Sequence, residues 1–254
     1  MKISIIKNAA IVGYGVIGNA TATALGVKYH YDKLLDKSNI AKHDIVNIKY
    51  LFICVPTPTI DNICDISEVE NVITEFGNHI YVIRSTVIPG TAGKLMAKYN
   101  CEIVSNPEFL TMSTALDDAI NPDIIVLGGN KSVEVRRLFY LDNNFKSSTF
   151  IETDNSTAEM IKYAINTFYA TKTLFANYLY KICKDKDIDY NIIKEAMYKR
   201  KWIGNNHLSV PYNGKLGVGG NCLPKDLIAF ASYSQNDFFN SLVKFMESSK
   251  KEIN

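Results

Sequence analysis

Gly13-Tyr14-Gly15-Val16-Ile17-Gly18 is a run of residues that could hold a phosphate. In a GxGxxG run the first glycine permits a tight turn from strand to helix. The second lets the backbone approach a pyrophosphate, and the third lets the helix pack close to a sheet. Phosphate oxygens would then meet free N–H groups at the helix start. Asp32 follows nineteen residues after Gly13, where an acid accepts hydrogen bonds from ribose hydroxyls. A carboxylate there repels a 2′-phosphate, so the pattern predicts NAD rather than NADP.

A nucleophile is the second candidate. Cys222 lies two residues before Pro224, a residue suited to the first position of a helix. A helix start and the nearby Lys225 favour the thiolate form. Gly217, Gly219 and Gly220 let the backbone come close to a ligand. Asp226, four residues after Cys222, could accept a proton, orient Lys162 and a water, or simply serve as the third residue of the helix. Lys162 and Asn166 are four apart in a helical stretch and share a face. Together they could donate hydrogen bonds to an oxyanion, although such residues on a helix more often face solvent.

The elements that must position these residues change in kind along the chain. Short apolar runs at Ala9–Gly13, Lys28–Asp32, Tyr50–Val55, Ile80–Ser85, Glu102–Ser105 and Ile124–Gly128 read as buried parallel strands. Helices are predicted between them, as at Ser67–Phe76 and Thr91–Tyr99, and the crossover from Gly18 to Asp32 leaves room for barely two turns. Such alternation implies an α/β fold with a doubly wound parallel sheet and right-handed crossovers. From about residue 153 the pattern becomes helical. Asp154 or Ser156 caps a long helix over Thr157–Lys184 with Glu159 in its first turn, and others are expected at Tyr190–Arg200, from Pro224, and at Asp237–Ser248. A glycine-rich loop occupies Asn213–Gly220.

Composition narrows the partners. A net charge of +2 gives no electrostatic case for nucleic acid or an anionic membrane. No run of eighteen apolar residues is present, so no membrane span is expected. The first ten residues carry Lys2 and Lys7 and no long apolar stretch, so no secretory signal is expected. Five cysteines at irregular spacing, Cys54, Cys64, Cys101, Cys183 and Cys222, suit a reduced, cytoplasmic protein better than a disulfide framework. All but Cys222 read as small core residues. The four histidines show no metal-ligand spacing, so no metal is expected.

Further motifs occur in an order that resembles the UDP-glucose/GDP-mannose dehydrogenase family. They are Val55-Pro56-Thr57-Pro58, Arg84-Ser85-Thr86-Val87, Asn106-Pro107-Glu108-Phe109-Leu110, Asn121-Pro122-Asp123, the set Glu159, Lys162, Tyr163 and Asn166, and Gly217-Val218-Gly219-Gly220-Asn221-Cys222-Leu223-Pro224-Lys225-Asp226. The resemblance covers nearly the whole chain. It implies a Rossmann-type NAD-binding domain over residues 1–152 and a central helical dimerisation and catalytic domain over 153–254. It also implies oxidation of a nucleotide sugar's primary alcohol to the uronate, with two NAD⁺ per sugar and a thiohemiacetal and thioester on Cys222. In that scheme Lys162 and Asn166 stabilise the oxyanion, and Glu108 activates the hydrolytic water held by Thr86. Val55, Pro56, Thr57, Arg84, Ser85 and Thr86 join the glycine run at the cofactor, while Phe109, Leu110 and the Gly217–Gly220 loop lie at the substrate.

The chain departs from the family in places. Met112 stands where a second glutamate is frequent, and Trp202 replaces an arginine before Ile203-Gly204. The Gly204–Gly217 segment is enlarged, and a short form lacking the family's C-terminal domain is expected. The apolar stretch Ala164–Tyr180, with Phe168, Leu174, Phe175 and Leu179, predicts a homodimer. Two rival readings are a two-electron dehydrogenase of the β-hydroxyacid type, which needs no cysteine, and a truncated, inactive NAD-binding homologue.

Overall fold

The computed structural model describes residues 6–140, 145–204, 206–212 and 215–251, and the chain forms two units. Residues up to Pro58 and Asp65–Lys162 form the first; Thr59–Cys64 and Tyr163 onward form the second. The expected boundary at 152/153 falls at the end of the last strand, just before a long helix begins at Asn155, whereas the units divide within that helix.

The first unit is built as β1 (Ile6–Val12), α1 (Val16–Leu25), β2 (Val27–Tyr31), β3 (Tyr50–Ile53), α2 (Ser67–Phe76), β6 (Ile80–Ile83), α3 (Thr91–Tyr99), β7 (Glu102–Ser105), α4 (Ala115–Ile120), β8 (Ile124–Gly128), α5 (Ser132–Phe139), β9 (Thr149–Thr153) and the start of α6 (Asn155–Asp185). Its sheet runs β2-β1-β3-β6-β7-β8-β9. Side chains alternate between two cores. Ile11, Phe52, Val82 and Val104 pack with Ala24, Ala119 and Val135 on one face, and Val12, Leu51, Ile53 and Ile83 pack with Val72 and Leu95 on the other. Both faces of the sheet are thus covered by helices, as a doubly wound fold requires.

All six expected strands form, and β9 is added. One correction concerns direction. The first five strands of the order are parallel, but β8 meets β7 antiparallel at Ser105–Gly128, and β9 runs parallel to β8. Asn155 seals this reversal: its Oδ1 accepts the Ser105 N–H at 2.9 Å and its Nδ2 donates to the Ile103 carbonyl at 3.3 Å. A Cβ on Gly128 would lie 2.6 Å from Ala158 Cβ, so glycine is what lets α6 come this close. A second correction concerns α1, which has ten residues instead of barely two turns, because it begins at Val16 inside the glycine run.

In the second unit the rest of α6 is followed by α7 (Tyr190–Tyr198), α8 (Cys222–Ser234) and α9 (Asp237–Lys251). One core joins Ala170 and Leu174 to Val218, Leu227, Leu242 and Met246; another joins Ala176 and Cys183 to Tyr190, Leu208 and Val210. The hairpin of β4 (Thr59–Ile60) and β5 (Ile63–Cys64) packs on α8, where Thr59 Oγ1 donates to the Lys225 carbonyl at 2.9 Å. Leu174 lies in the first of these cores and Leu179 packs against the second, whereas Phe168, Phe175 and Ile182, seven residues apart along α6, are all more than half exposed. Trp202, the chain's sole tryptophan, follows α7 and is 86% exposed. Of the glycine-rich segment, Asn213 and Gly214 lie outside the described residues. Among the described residues no helix is long and apolar enough to cross a membrane.

Candidate functional site

The glycine run makes the turn from β1 into α1 at the point where the sheet order reverses. From β1 the chain proceeds to β2 on one side and later to β3 on the other, leaving a crevice beyond the carboxyl ends of those strands. Gly13 has φ +90°, and a Cβ there would lie 2.7 Å from the Cys54 carbonyl oxygen. A Cβ on Gly18 would lie 2.0 Å from Gly13 O, whereas one on Gly15 would meet nothing within 4 Å. Gly13 and Gly18 therefore serve the turn, and Gly15 faces open space that a ligand can enter. Val16 and Ile17 form the first helical turn with their N–H groups at its start. Asp32 lies against this turn: Oδ2 accepts the Tyr14 N–H at 2.7 Å and Oδ1 the Leu34 N–H at 3.0 Å. The Tyr14 ring stacks on His30 at 3.7 Å between centroids.

The next two motifs are laced together at the ends of β3 and β6. Thr57 Oγ1 donates to the Thr86 carbonyl and Ser85 Oγ to the Val55 carbonyl, both at 2.7 Å, while Pro56 is exposed. Arg84 is buried at 8% exposure. Its Nη1 donates to Asn106 Oδ1 at 2.5 Å, its Nε has no hydrogen-bond partner among the described residues, and burial lowers the pKa of its guanidinium.

Glu108, Phe109, Leu110 and Lys162 come together in the first unit. Lys162 Nζ donates to the Glu108 carbonyl at 2.5 Å and to Glu108 Oε1 at 3.2 Å, and lies 5.4 Å from the centre of the Phe109 ring. Glu108 Oε2 accepts the Leu110 N–H at 2.6 Å. Both charged groups are largely buried, so each compensates the desolvation of the other.

In the second unit Cys222 is exposed and is itself the first residue of α8. Pro224 is therefore the third helical position, not the first, still within the turn where a missing N–H costs nothing. Asp226 is the fifth residue, not the third, and is 1% exposed. Its Oδ2 accepts Asn166 Nδ2 at 2.6 Å and its Oδ1 accepts Lys225 Nζ at 2.5 Å. The cation paired with Asp226 is Lys225, while Lys162 is held by Glu108. Gly217 and Gly220 have φ +87° and +74°, and Gly219 and Gly220 are exposed. Asn177 on α6 fixes the start of this loop, its Oδ1 accepting the Gly217 N–H at 2.7 Å, and Val218 anchors it in the core.

Burial pushes the Cys54 thiol up to about 11 and raises Cys101; Cys64 and Cys183 are buried. Sequence reasoning overlooked Asn155, Asn177 and the role of Glu159. The last is the fifth residue of α6, and its carboxylate binds the N-terminus of α3. No local signal marks them, because their partners are distant in the chain. Among the described residues no group of His, Cys, Asp and Glu could hold a metal ion.

Residues 25–146 match the sequence model of the UDP-glucose/GDP-mannose dehydrogenase family, NAD binding domain, and residues 156–252 that of the family's central domain. The glycine run precedes the first match and stands on its own geometry. The chain is 32% identical over 212 residues to the UDP-glucose 6-dehydrogenase of Rickettsia felis, covering 78% of this chain and 46% of the relative. To UDP-glucose 6-dehydrogenase AglM of Haloferax volcanii it is 33% identical over 211 residues, covering 73% and 48%. It thus spans about half the length of these curated relatives. Among solved structures, a UDP-glucose dehydrogenase from Pyrobaculum islandicum superposes with a TM-score of 0.79 at 24% identity, covering 99% of this chain and 70% of that one. A UDP-D-ManNAc dehydrogenase from Pyrococcus horikoshii gives 0.80 at 20% identity, covering 95% and 68%. At these identities the likeness is one of fold. With the two matches following one another in the order of the motifs, the chain belongs to the UDP-glucose/GDP-mannose dehydrogenase family.

Proposed function

We propose that the protein oxidises the primary alcohol of a nucleotide sugar, UDP-glucose or a close relative, to the uronate in an NAD-dependent reaction through Cys222. The observation that carries this reading is the exposed thiol heading α8, one turn ahead of the buried Asp226–Asn166 pair, in a chain of this family. The glycine turn fits a dinucleotide, since Gly13 and Gly18 leave no room for a side chain while Gly15 faces open space. Gly13, Gly15, Val16, Ile17, Gly18 and Asp32 would hold its pyrophosphate and ribose, with Val55, Pro56, Thr57, Arg84, Ser85 and Thr86 beside them. Bound there, NAD⁺ supplies the two-electron acceptor for each of two oxidations.

The remaining chemistry belongs to the chain. Lys162 and Asn166 donate hydrogen bonds to the substrate oxygen as the alcohol gives up its proton and becomes the aldehyde. The Cys222 thiolate adds to the aldehyde carbon, forming a thiohemiacetal. Its oxidation leaves a thioester. Water, deprotonated by Glu108 and held by Thr86, attacks the thioester carbonyl, and the thiolate leaves as the uronate forms. Asp226 keeps the Asn166 amide aimed and accepts a proton. Phe109, Leu110, Gly217, Gly219 and Gly220 shape the sugar site. The exposed stripe on α6 favours a homodimer.

A panel of UDP- and GDP-sugars scanned for NADH formation tests the reading. Two NADH per sugar and a uronate product are expected, with acid formation abolished in Cys222→Ser. Unchanged turnover in that variant would favour the β-hydroxyacid type, and NAD binding with no turnover of any sugar would favour the inactive homologue.

A further inference from the structure

Glu159 is a buried carboxylate that the proposed reaction does not use. It lies on α6, three residues before Lys162. Its Oε2 accepts the Gly90 N–H at 2.6 Å, and its Oε1 accepts the Ala92 N–H at 2.9 Å and the Ser105 hydroxyl at 3.2 Å. Gly90 caps α3, so the carboxylate occupies the positive end of that helix. Among the described residues no cation pairs with it. Asn155, one turn earlier, grips the Ser105 N–H and the Ile103 carbonyl. Two consecutive turns of α6 are therefore locked to β7 and α3 by five hydrogen bonds, all from side chains on one face.

A helix held at two successive turns has no freedom to rotate about its axis, and a rotation of about 10° carries the tip of a long side chain by about an ångström. We propose that Glu159 is a positioning residue for Lys162, fixing the rotation of α6 that brings the ammonium onto Glu108. The donors decide which form does so. The ionised form accepts all three hydrogens, whereas a proton on Oε1 must turn the Ser105 hydroxyl from donor to acceptor and one on Oε2 competes with the Gly90 N–H, so the hydrogen-bond set fits the ionised form better. Burial opposes ionisation and pushes the group up to about 7. Facing it are the N–H groups of Gly90, Thr91 and Ala92 and the Ser105 hydroxyl, none of which titrates near neutrality. Lys94 and Lys98 of α3 and Glu102 of β7 are exposed, Asp154 just ahead of α6 is occupied by Thr157, and Lys162 by Glu108.

The role rests on the proposed reaction for its consequence but not for its test. In the substrate-free protein, the side-chain NMR resonance of Lys162, assigned with Lys162→Arg, is followed against pH. The wild type should inflect near pH 7, and Glu159→Gln should show no inflection there, with a shifted resonance at all pH values. Glu159→Asp, which keeps the charge, should restore part of the inflection and shows whether loss of folding explains the glutamine variant. If sugar oxidation is detected, Glu159→Gln should lower turnover about tenfold with the KM for NAD unchanged. A Lys162 resonance that titrates identically in wild type and Glu159→Gln overturns the proposal, even if no sugar is oxidised.

Discussion

Gly15 separates binding from folding more cleanly than any other residue of the glycine turn. With open space beyond its Cα and an ordinary negative φ of −78°, it accepts a methyl group without strain. Gly15→Ala should melt within a degree or two of wild type yet bind NAD about tenfold more weakly, as calorimetric titration would show. Gly18→Ala should fail at folding, since its Cβ would overlap the Gly13 carbonyl. These roles are legible in the sequence because three spacings are enough to define the turn. Lys162 and Asn166 are legible as a pair, but not their partners: Glu108 is distant in the chain from Lys162, as Asp226 is from Asn166, and nothing local announces either contact. Glu159 reads as an ordinary first-turn acid until its burial is seen.

At the scale of elements, the six strands are legible because apolar runs bounded by turn residues are what a sheet covered on both faces demands. Their direction is not, since an apolar run carries no polarity, and at the reversal beside β8 the groups of β7 are met by Asn155, a residue distant in the chain. Asn155→Ala should leave the Ser105 N–H and the Ile103 carbonyl unsatisfied. The expected loss is about 1–3 kcal/mol by urea unfolding of the first unit's transition. Glu159 adds a pH signature. Its pKa rises from 4.5 in the unfolded chain to about 7 in the fold, so the native state keeps a proton that the unfolded chain releases. Its contribution to stability is complete below about pH 4.5, declines as pH rises toward 7, and is constant above. Unfolding measured across that window should show the decline in wild type and a flatter profile in Glu159→Gln.

At the scale of the whole chain, domain membership was the least legible property. Thr59–Cys64 lies in a stretch that reads as a connection between strands, yet it joins the helical unit through α8, a partner more than 150 residues away. The apolar reading of α6 divides in the same way, with Leu174 turned to the unit's own core and Phe168, Phe175 and Ile182 left to solvent. If that stripe mates with a second copy, multi-angle light scattering should give twice the chain mass, and Phe168→Ser with Phe175→Ser should return it to one. A monomer in the wild type sinks the homodimer.

Trp202 gives the chain a fluorophore of its own. As the sole indole, standing in water after α7, it should emit at long wavelength and be readily quenched by acrylamide. Whatever settles over that segment, sugar nucleotide or protein, would shift the emission to the blue and shield it from the quencher. Occupancy there can thus be followed by light alone, in the unlabelled chain and independently of turnover.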